Sequence, residues 1–317
     1  MGATELPNEA PSGQGPESAQ TAAERSKAPK LQQLHTSHGR LFEQNRFVYP
    51  VLSRRSRGIS IGVNLNPDKI CNFDCIYCQV DRTRQSETRF VDMSELLDEL
   101  DGMLTLIRSG QIFEATNFRA TPPELRRLND IAFSGDGEPT TYRNFDEIIS
   151  ACAGVKSHHN ADDVKMVLIT NASMLHRPHV QRGLEILDAN NGEIWAKLEA
   201  GTDEYYQLVE RTPIPFRQVL DNITAAARIR PVVIQSLFMR IHGEGPSDAE
   251  LAAFVDRLRE IIAAGGQIKL VQVYTVARQP AESFVAPLPN ATVDAITERI
   301  RKAGISAESF YGAGSDT

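Results

Sequence analysis

Six short apolar runs, at 59–64, 131–134, 165–170, 193–198, 232–239 and 268–274, restrict the fold more than any other feature of this sequence. Each has strand length, and they recur at a spacing of roughly 30–40 residues with helical patterns between them. Three of those helices have readable starts. Asp92 and Glu95 precede Leu96, Leu97, Leu100, Leu104 and Ile107, and Gly110 ends that run. Asn144 and Glu147 open a second helix, and Ser247 and Glu250 form a capping box before Leu251, Phe254, Val255, Leu258 and Ile262. Strands alternating with helices predict consecutive right-handed βαβ units and a parallel sheet. Eight units would close a barrel; six leave it open, so the expected class is α/β, a partial (β/α)6 barrel.

The ends of the chain read differently. Residues 1 to about 30 are rich in Pro, Ser, Gln, Ala, Glu and Gly and cannot bury enough apolar surface to offset their ordering entropy. The expected division is a disordered tail over 1–35, a core domain over 36–285 and a C-terminal appendage over 286–317. The appendage carries one amphipathic helix (Val293, Ile296, Ile300) and a short strand near 305–311. No apolar run of ~18 residues and no signal-peptide core are present, which reads as a cytoplasmic protein with no membrane partner. The net charge of -7 argues against a dedicated nucleic-acid binder, though a local basic patch stays compatible with it.

Three of the four cysteines, Cys71, Cys75 and Cys78, fall in the loop that follows the first strand. In parallel α/β folds the ligand-binding loops follow the C-terminal ends of strands. The C-x3-C-x2-C spacing supplies three soft thiolates, suited to zinc, copper or an iron–sulfur cluster. Three local ligands leave one position open, as catalytic metal sites do. The alternative is a closed Cys3His zinc site completed by a histidine such as His158 or His159. Cys152 lies on an apolar helix face and reads as an inert core residue.

With Tyr77 before the third cysteine, the motif resembles the signature of the radical S-adenosylmethionine (SAM) superfamily. That resemblance implies a [4Fe–4S] cluster on Cys71, Cys75 and Cys78, with SAM on the fourth iron and the Tyr77 backbone against its adenine. It also implies reductive cleavage of SAM to a 5′-deoxyadenosyl radical, with electrons from a donor such as flavodoxin or ferredoxin. FSGDGEPTTY (133–142) is similar to the family's GGE motif, with Gly137 and Glu138 at its last two positions and Asp136 in place of the first glycine. Taken alone, that segment is equally an ordinary βα turn. By the same resemblance Asn171, at the third strand end, is a candidate contact to SAM ribose or carboxylate; an Asn there is otherwise a turn former.

In EIWAKLEAG (193–201), alternation puts Trp195, Lys197 and Glu199 on one face and Ile194, Ala196 and Leu198 on the other. An inward Lys and Glu are costly unless paired or used. They form a structural ion pair or, by the resemblance, meet the SAM carboxylate (Lys197) and a ribose hydroxyl (Glu199). Gln235, Gln272, Tyr274 and Arg278 are further polar groups in or after apolar strands, candidates for the substrate pocket or for satisfied core positions. Arg54, Arg55 and Arg57, before the first strand, read as a solvated turn in preference to the alternative, a binding patch.

The resemblance spans about residues 40–285 and is nearest the tRNA wyosine-synthase-like iron–sulfur oxidoreductases. This chain lacks cysteines before Cys71 and has only Cys152 after the motif, so a single cluster is expected. The implied function is hydrogen abstraction from an undetermined RNA, metabolite or protein. A wyosine-synthase-like tRNA-modifying enzyme, an activase that installs a glycyl radical on a partner protein, and a non-catalytic metal-binding or redox-sensing protein are the alternatives.

Overall fold

The computed structural model describes residues 1–2, 42, 44–53, 55–80, 82, 86, 88–278 and 280–312. Apart from its first two residues, the tail expected over 1–35 lies outside them, as does Arg54.

The chain enters through an antiparallel pair, β1 (Val48–Ser53) and β2 (Gly58–Val63). Then follow β3 (Leu128–Phe133), β4 (Lys165–Thr170), β5 (Gly192–Lys197), β6 (Val232–Leu237) and β8 (Ile268–Tyr274), with β10 (Ala307–Phe310) at the far edge. The order is β1-β2-β3-β4-β5-β6-β8-β10, and from β2 onward every neighbour is parallel. The sheet curls into a half-barrel. A separate ribbon pairs β7 (Met239–Ile241) with β9 (Val285–Pro287) antiparallel.

All six expected strands are present. The short C-terminal run is the eighth strand of the same sheet, and Val293, Ile296 and Ile300 join the main core. Two elements escaped the sequence reading for physical reasons. Pro50 interrupts the β1 pattern, and proline is tolerated there because β1 is an edge strand. The β7–β9 ribbon is built from three-residue strands, too short to show a period.

Among the described residues there are seven α-helices. They are α1 (Met93–Arg108), α2 (Phe145–His158), α3 (Pro178–Ala189), α4 (Asp203–Glu210), α5 (Phe216–Ile229), α6 (Asp248–Ala263) and α7 (Asn290–Lys302). Asp92 and Ser247 cap as expected, each accepting the N3 amide, from Glu95 at 3.0 Å and from Glu250 at 3.1 Å. Asn144 does not: its amide donates to Glu147 Oε2 at 3.0 Å, and it makes no side-chain cap bond.

Strand alternation separates two cores. Ile194, Ala196 and Leu198 face outward, with Ile131, Phe133, Met166, Leu168, Ile234 and Val271, into the layer shared with the helices, where Cys152 is fully buried. Ala132, Val167, Trp195 and Val233 pack together on the inner face, with Ile169 and Leu270 against them. Lower in the barrel Glu193 accepts Trp195 Nε1 (2.7 Å), Lys165 Nζ (2.9 Å) and Lys269 Nζ (2.7 Å), which fixes the indole ring. The inner face is therefore apolar in mid-barrel and polar toward the strand C-termini.

Candidate functional site

The cysteine loop follows β2 and is fastened on both sides. On one side Asn72 Nδ2 donates to Ser173 Oγ at 2.7 Å, and Asn171 Nδ2 donates to Asn72 Oδ1 at 2.8 Å. On the other the amides of Asp74 and Ile76 donate to the carbonyls of Glu210 (3.1 Å) and Val209 (2.9 Å), at the end of α4. Thr212 Oγ1 also donates to the Asn72 carbonyl at 3.0 Å. Ile76 and Tyr77 are buried against Val209, Leu237, Met239, Val276 and Val285, so the ribbon covers one flank of the loop.

All three loop cysteines are free thiols and partly buried. Burial pushes the Cys71 thiol up, with Arg82 and Lys197 pulling against it. Burial, then the charge of Glu210, holds the Cys75 thiol well above its ordinary value, and its Sγ donates to Glu210 Oε2 at 2.8 Å. Arg82 Nη2 lies 3.7 Å from Cys78 Sγ, and its Nη1 donates to the Phe73 carbonyl at 3.1 Å.

His158 and His159 sit at the C-terminal end of α2, and His159 Nε2 is 2.8 Å from Asp101. Helices return antiparallel to the strands, so this end lies opposite the edge that carries the cysteines. Neither His158 nor His159 is therefore placed to complete a zinc site on these cysteines. Among the described residues no three His, Cys, Asp or Glu side chains gather around a point that one metal ion could occupy. A four-iron core takes each thiolate on a different iron, so it asks for more widely separated sulfurs. Three soft donors without a fourth suit that core better than a closed zinc site.

The 135–138 turn lies against the same loop. A Cβ on Gly137 would collide with the Ile70 carbonyl and the Asn66 side chain, so only glycine permits this approach. Asp136, where a glycine was expected, accepts Asn64 Nδ2 at 2.8 Å, and its amide donates to Asn64 Oδ1 at 3.2 Å. Glu138 is 3% exposed and accepts four hydrogen bonds. Thr140 N (3.2 Å), Thr140 Oγ1 (2.5 Å) and Thr170 Oγ1 (2.6 Å) donate to its Oε1, and Asn171 N (2.7 Å) to Oε2. It stitches the end of β3 to the end of β4. Asn171 Oδ1 in turn accepts from Ser173 N (3.0 Å) and Oγ (2.6 Å).

Above the inner apolar layer lie Lys197, Glu199, Tyr77 and Tyr274. Tyr77 Oη donates to Glu199 Oε1 at 3.1 Å, and Lys197 Nζ stands 5.2 Å from the Tyr77 ring centroid. Burial disfavours the Lys197 charge, but Tyr274, Glu199, Cys75 and Glu210 outweigh it and hold the ammonium protonated. Burial, then the charge of Glu210, holds Glu199 well above the ordinary carboxylate range, and burial raises Glu210 against the opposing bonds of Glu199 and Cys75 and the charge of Lys197. The sequence reading missed Glu210. The available signal was a carboxylate on the last turn of α4, where it opposes the helix dipole.

Gln235 and Gln272 meet directly, Nε2 to Oε1 at 2.9 Å, on the buried inner face. Arg278 follows β8; its carbonyl accepts Gln79 Nε2 at 3.4 Å, and its charge acts on the Tyr49 phenol, whose proton is held mainly by burial. The arginine turn corrects an expectation. Arg57 is exposed and pairs with Glu308 at 3.5 Å, whereas Arg55 is half-buried: its guanidinium bonds the Tyr274 hydroxyl and lies 4.9 Å from the Tyr274 ring centroid and 5.9 Å from that of Trp195. The turn lies against β10, which brings Arg55 to the open side of the half-barrel, and stacking on two rings offsets its lost hydration.

Comparison with known proteins agrees with this geometry. The family model described as the radical SAM superfamily matches residues 65–258, well over half of the chain. The chain is 28% identical over 240 residues to a UPF0026 protein of Helicobacter pylori, covering 75% of this chain and 68% of that one. It is 24% identical over 209 residues to a protein of Brachyspira hyodysenteriae called GTPase Obg, covering 64% of this chain but only 26% of that one. Among solved structures, a radical SAM methyltransferase from Sphaerobacter thermophilus superposes with a TM-score of 0.58 at 15% identity, covering 85% of this chain and 70% of that one. SuiB of Streptococcus suis, solved with S-adenosylmethionine bound, gives a TM-score of 0.50 at 11% identity, covering 95% of this chain and 56% of that one. At these identities the structural likeness shows the fold.

Proposed function

The chain belongs to the radical SAM superfamily, whose enzymes use a [4Fe–4S] cluster and SAM, and from that premise we propose that Cys71, Cys75 and Cys78 are the cluster ligands of a hydrogen-abstracting enzyme. Bound there, cluster and SAM supply a 5′-deoxyadenosyl radical when an electron donor such as flavodoxin or ferredoxin reduces the cluster. One observation carries the reading: three free thiols, with no fourth cysteine beside them, on a loop anchored to the strand C-termini against the buried polar side chains of Glu138, Asn171, Glu199 and Glu210.

The remaining roles follow from the geometry of this chain. Glu138 Oε1 already accepts three donors and Oε2 one, so Oε2 keeps acceptor capacity for the SAM ammonium. Asn171, fixed by Asn72 and Ser173, orients a polar side chain beside the loop for ribose or carboxylate. Lys197 offers a buried cation to the SAM carboxylate, and Glu199, partly protonated, faces a ribose hydroxyl. The buried Tyr77 segment lends its backbone to the adenine, and the apolar ribbon excludes water there. Gln235, Tyr274 and Arg278 line the chamber beyond, toward the substrate.

Anaerobic reconstitution tests the proposal. About four irons per chain and reductant-dependent release of 5′-deoxyadenosine are expected, with release abolished by alanine at any one of Cys71, Cys75 or Cys78. One zinc per chain without SAM cleavage overturns it.

A further inference from the structure

Arg55 is a cation inside the half-barrel that the cofactor roles above do not use. Its neighbour in the turn, Arg57, has a carboxylate partner in Glu308. Among the described residues no carboxylate stands within ion-pair distance of Arg55, which is flanked by the rings of Tyr274 and Trp195 instead. The rings are themselves fixed, Trp195 by its bond to Glu193 and Tyr274 by packing against the apolar cluster around Tyr77. The Tyr274 hydroxyl takes one guanidinium N–H, and the rest of the N–H edge has no partner among the described residues and is available to a ligand.

The surroundings complete a polar pocket. Gln235 and Gln272 are 1% and 3% exposed and spend one N–H and one carbonyl on each other. The second carboxamide N–H of Gln235 and both of those of Gln272 have no other partner among the described residues. Gln235 lies in register with Lys197 on one side and with Gln272 on the other, so a buried cation and these amides occupy one level of the barrel. This level of the barrel therefore holds unpaired N–H donors beside a guanidinium that has no carboxylate partner among the described residues, an arrangement that receives an anion.

We propose that Arg55 receives an oxyanionic group of the substrate, a carboxylate or a phosphate, and with the Gln235–Gln272 pair orients it in the barrel. This rests on the chamber being the active site proposed above. The substrate class is accordingly a molecule with a terminal carboxylate or phosphate that enters from the open side of the half-barrel.

Trp195 is the one tryptophan in the chain and borders Arg55, so its emission reads the site directly. The full-length, cluster-loaded protein is titrated at constant ionic strength with inorganic phosphate and, separately, with acetate, with chloride as the control. A saturable change with phosphate, acetate or both is expected, and the arm that responds identifies the oxyanion. Arg55→Gln should weaken it about tenfold or more, and Arg57→Gln should titrate as the parent does. Equal responses in the parent and Arg55→Gln, or a response to ionic strength alone, overturn the proposal. If Arg55→Gln folds poorly, protection of Arg55 in the parent from an arginine-selective dicarbonyl, mapped by peptide mass, decides the question; no protection by either anion refutes it. Arg57→Gln, whose side chain pairs with Glu308 outside the site, should still release 5′-deoxyadenosine from SAM as the parent does. Loss of that release in the parent protein would refute the radical reading separately from the anion site.

Discussion

The substitution Glu138→Gln isolates what the buried carboxylate contributes to the junction of β3 and β4. The parent carboxylate takes three donors on Oε1 and Asn171 N on Oε2, at 2.7 Å. A carboxamide has one acceptor oxygen. In its better orientation it keeps the three donors, as neutral and weaker bonds, and turns an NH2 group toward the Asn171 amide. One charge-assisted bond, worth about 1.5–3 kcal/mol net, is lost, and a buried N–H is left without an acceptor. Retained burial of a neutral group in place of a charged one gives part of this back, because burial raises the Glu138 carboxyl above its ordinary value. A net loss of about 2–4 kcal/mol is expected in the folding free energy at neutral pH, read by urea unfolding. Stability within about 0.5 kcal/mol of the parent would refute the assignment of Glu138 as the stitch between the two strands.

Two further predictions concern residues away from the cofactor loop. Burial pushes the Cys152 thiol up to about 12 and leaves it no exposed surface, whereas Cys78 is only half-buried, so iodoacetamide should modify Cys78 in the folded cluster-free protein and spare Cys152; mass-mapped labelling of Cys152 without unfolding would contradict its place in the core. Asp130, on the inner face low in the barrel, has its carboxyl raised from 3.8, by burial first, against the opposing bonds of Ser60 and Ser56. A raised folded value means that the folded state holds a proton the unfolded chain releases. The stabilisation is complete below the unfolded value and is lost as pH climbs from about 3.8 through the folded value, about 1.4 kcal/mol for each unit of separation. Asp130→Asn should remove that part of the pH dependence, and an unchanged slope in pH-resolved urea unfolding would show that the carboxyl titrates normally.

The sequence by itself determined what depends on near neighbours along the chain. Alternation in EIWAKLEAG was enough to turn Trp195, Lys197 and Glu199 inward, since successive side chains of a strand face opposite ways. The cap sequences at Asp92 and Ser247 were enough to start α1 and α6, since the cap bond spans three residues. The spacing of Cys71, Cys75 and Cys78 was likewise local, and with the strand before it placed the loop at the functional edge. Tertiary structure decided the partners, because these meet across 11 to more than 200 residues of chain and no local pattern encodes such a meeting. Glu210 reaches Cys75 and Glu199 only when α4 packs beneath the cysteine loop. Glu138 is saturated only when β4 lies beside β3. Arg55, in a turn whose composition reads as solvent-exposed, enters the barrel because the sheet curls until β10 meets the β1–β2 turn, bringing Trp195 and Tyr274 within reach of its guanidinium.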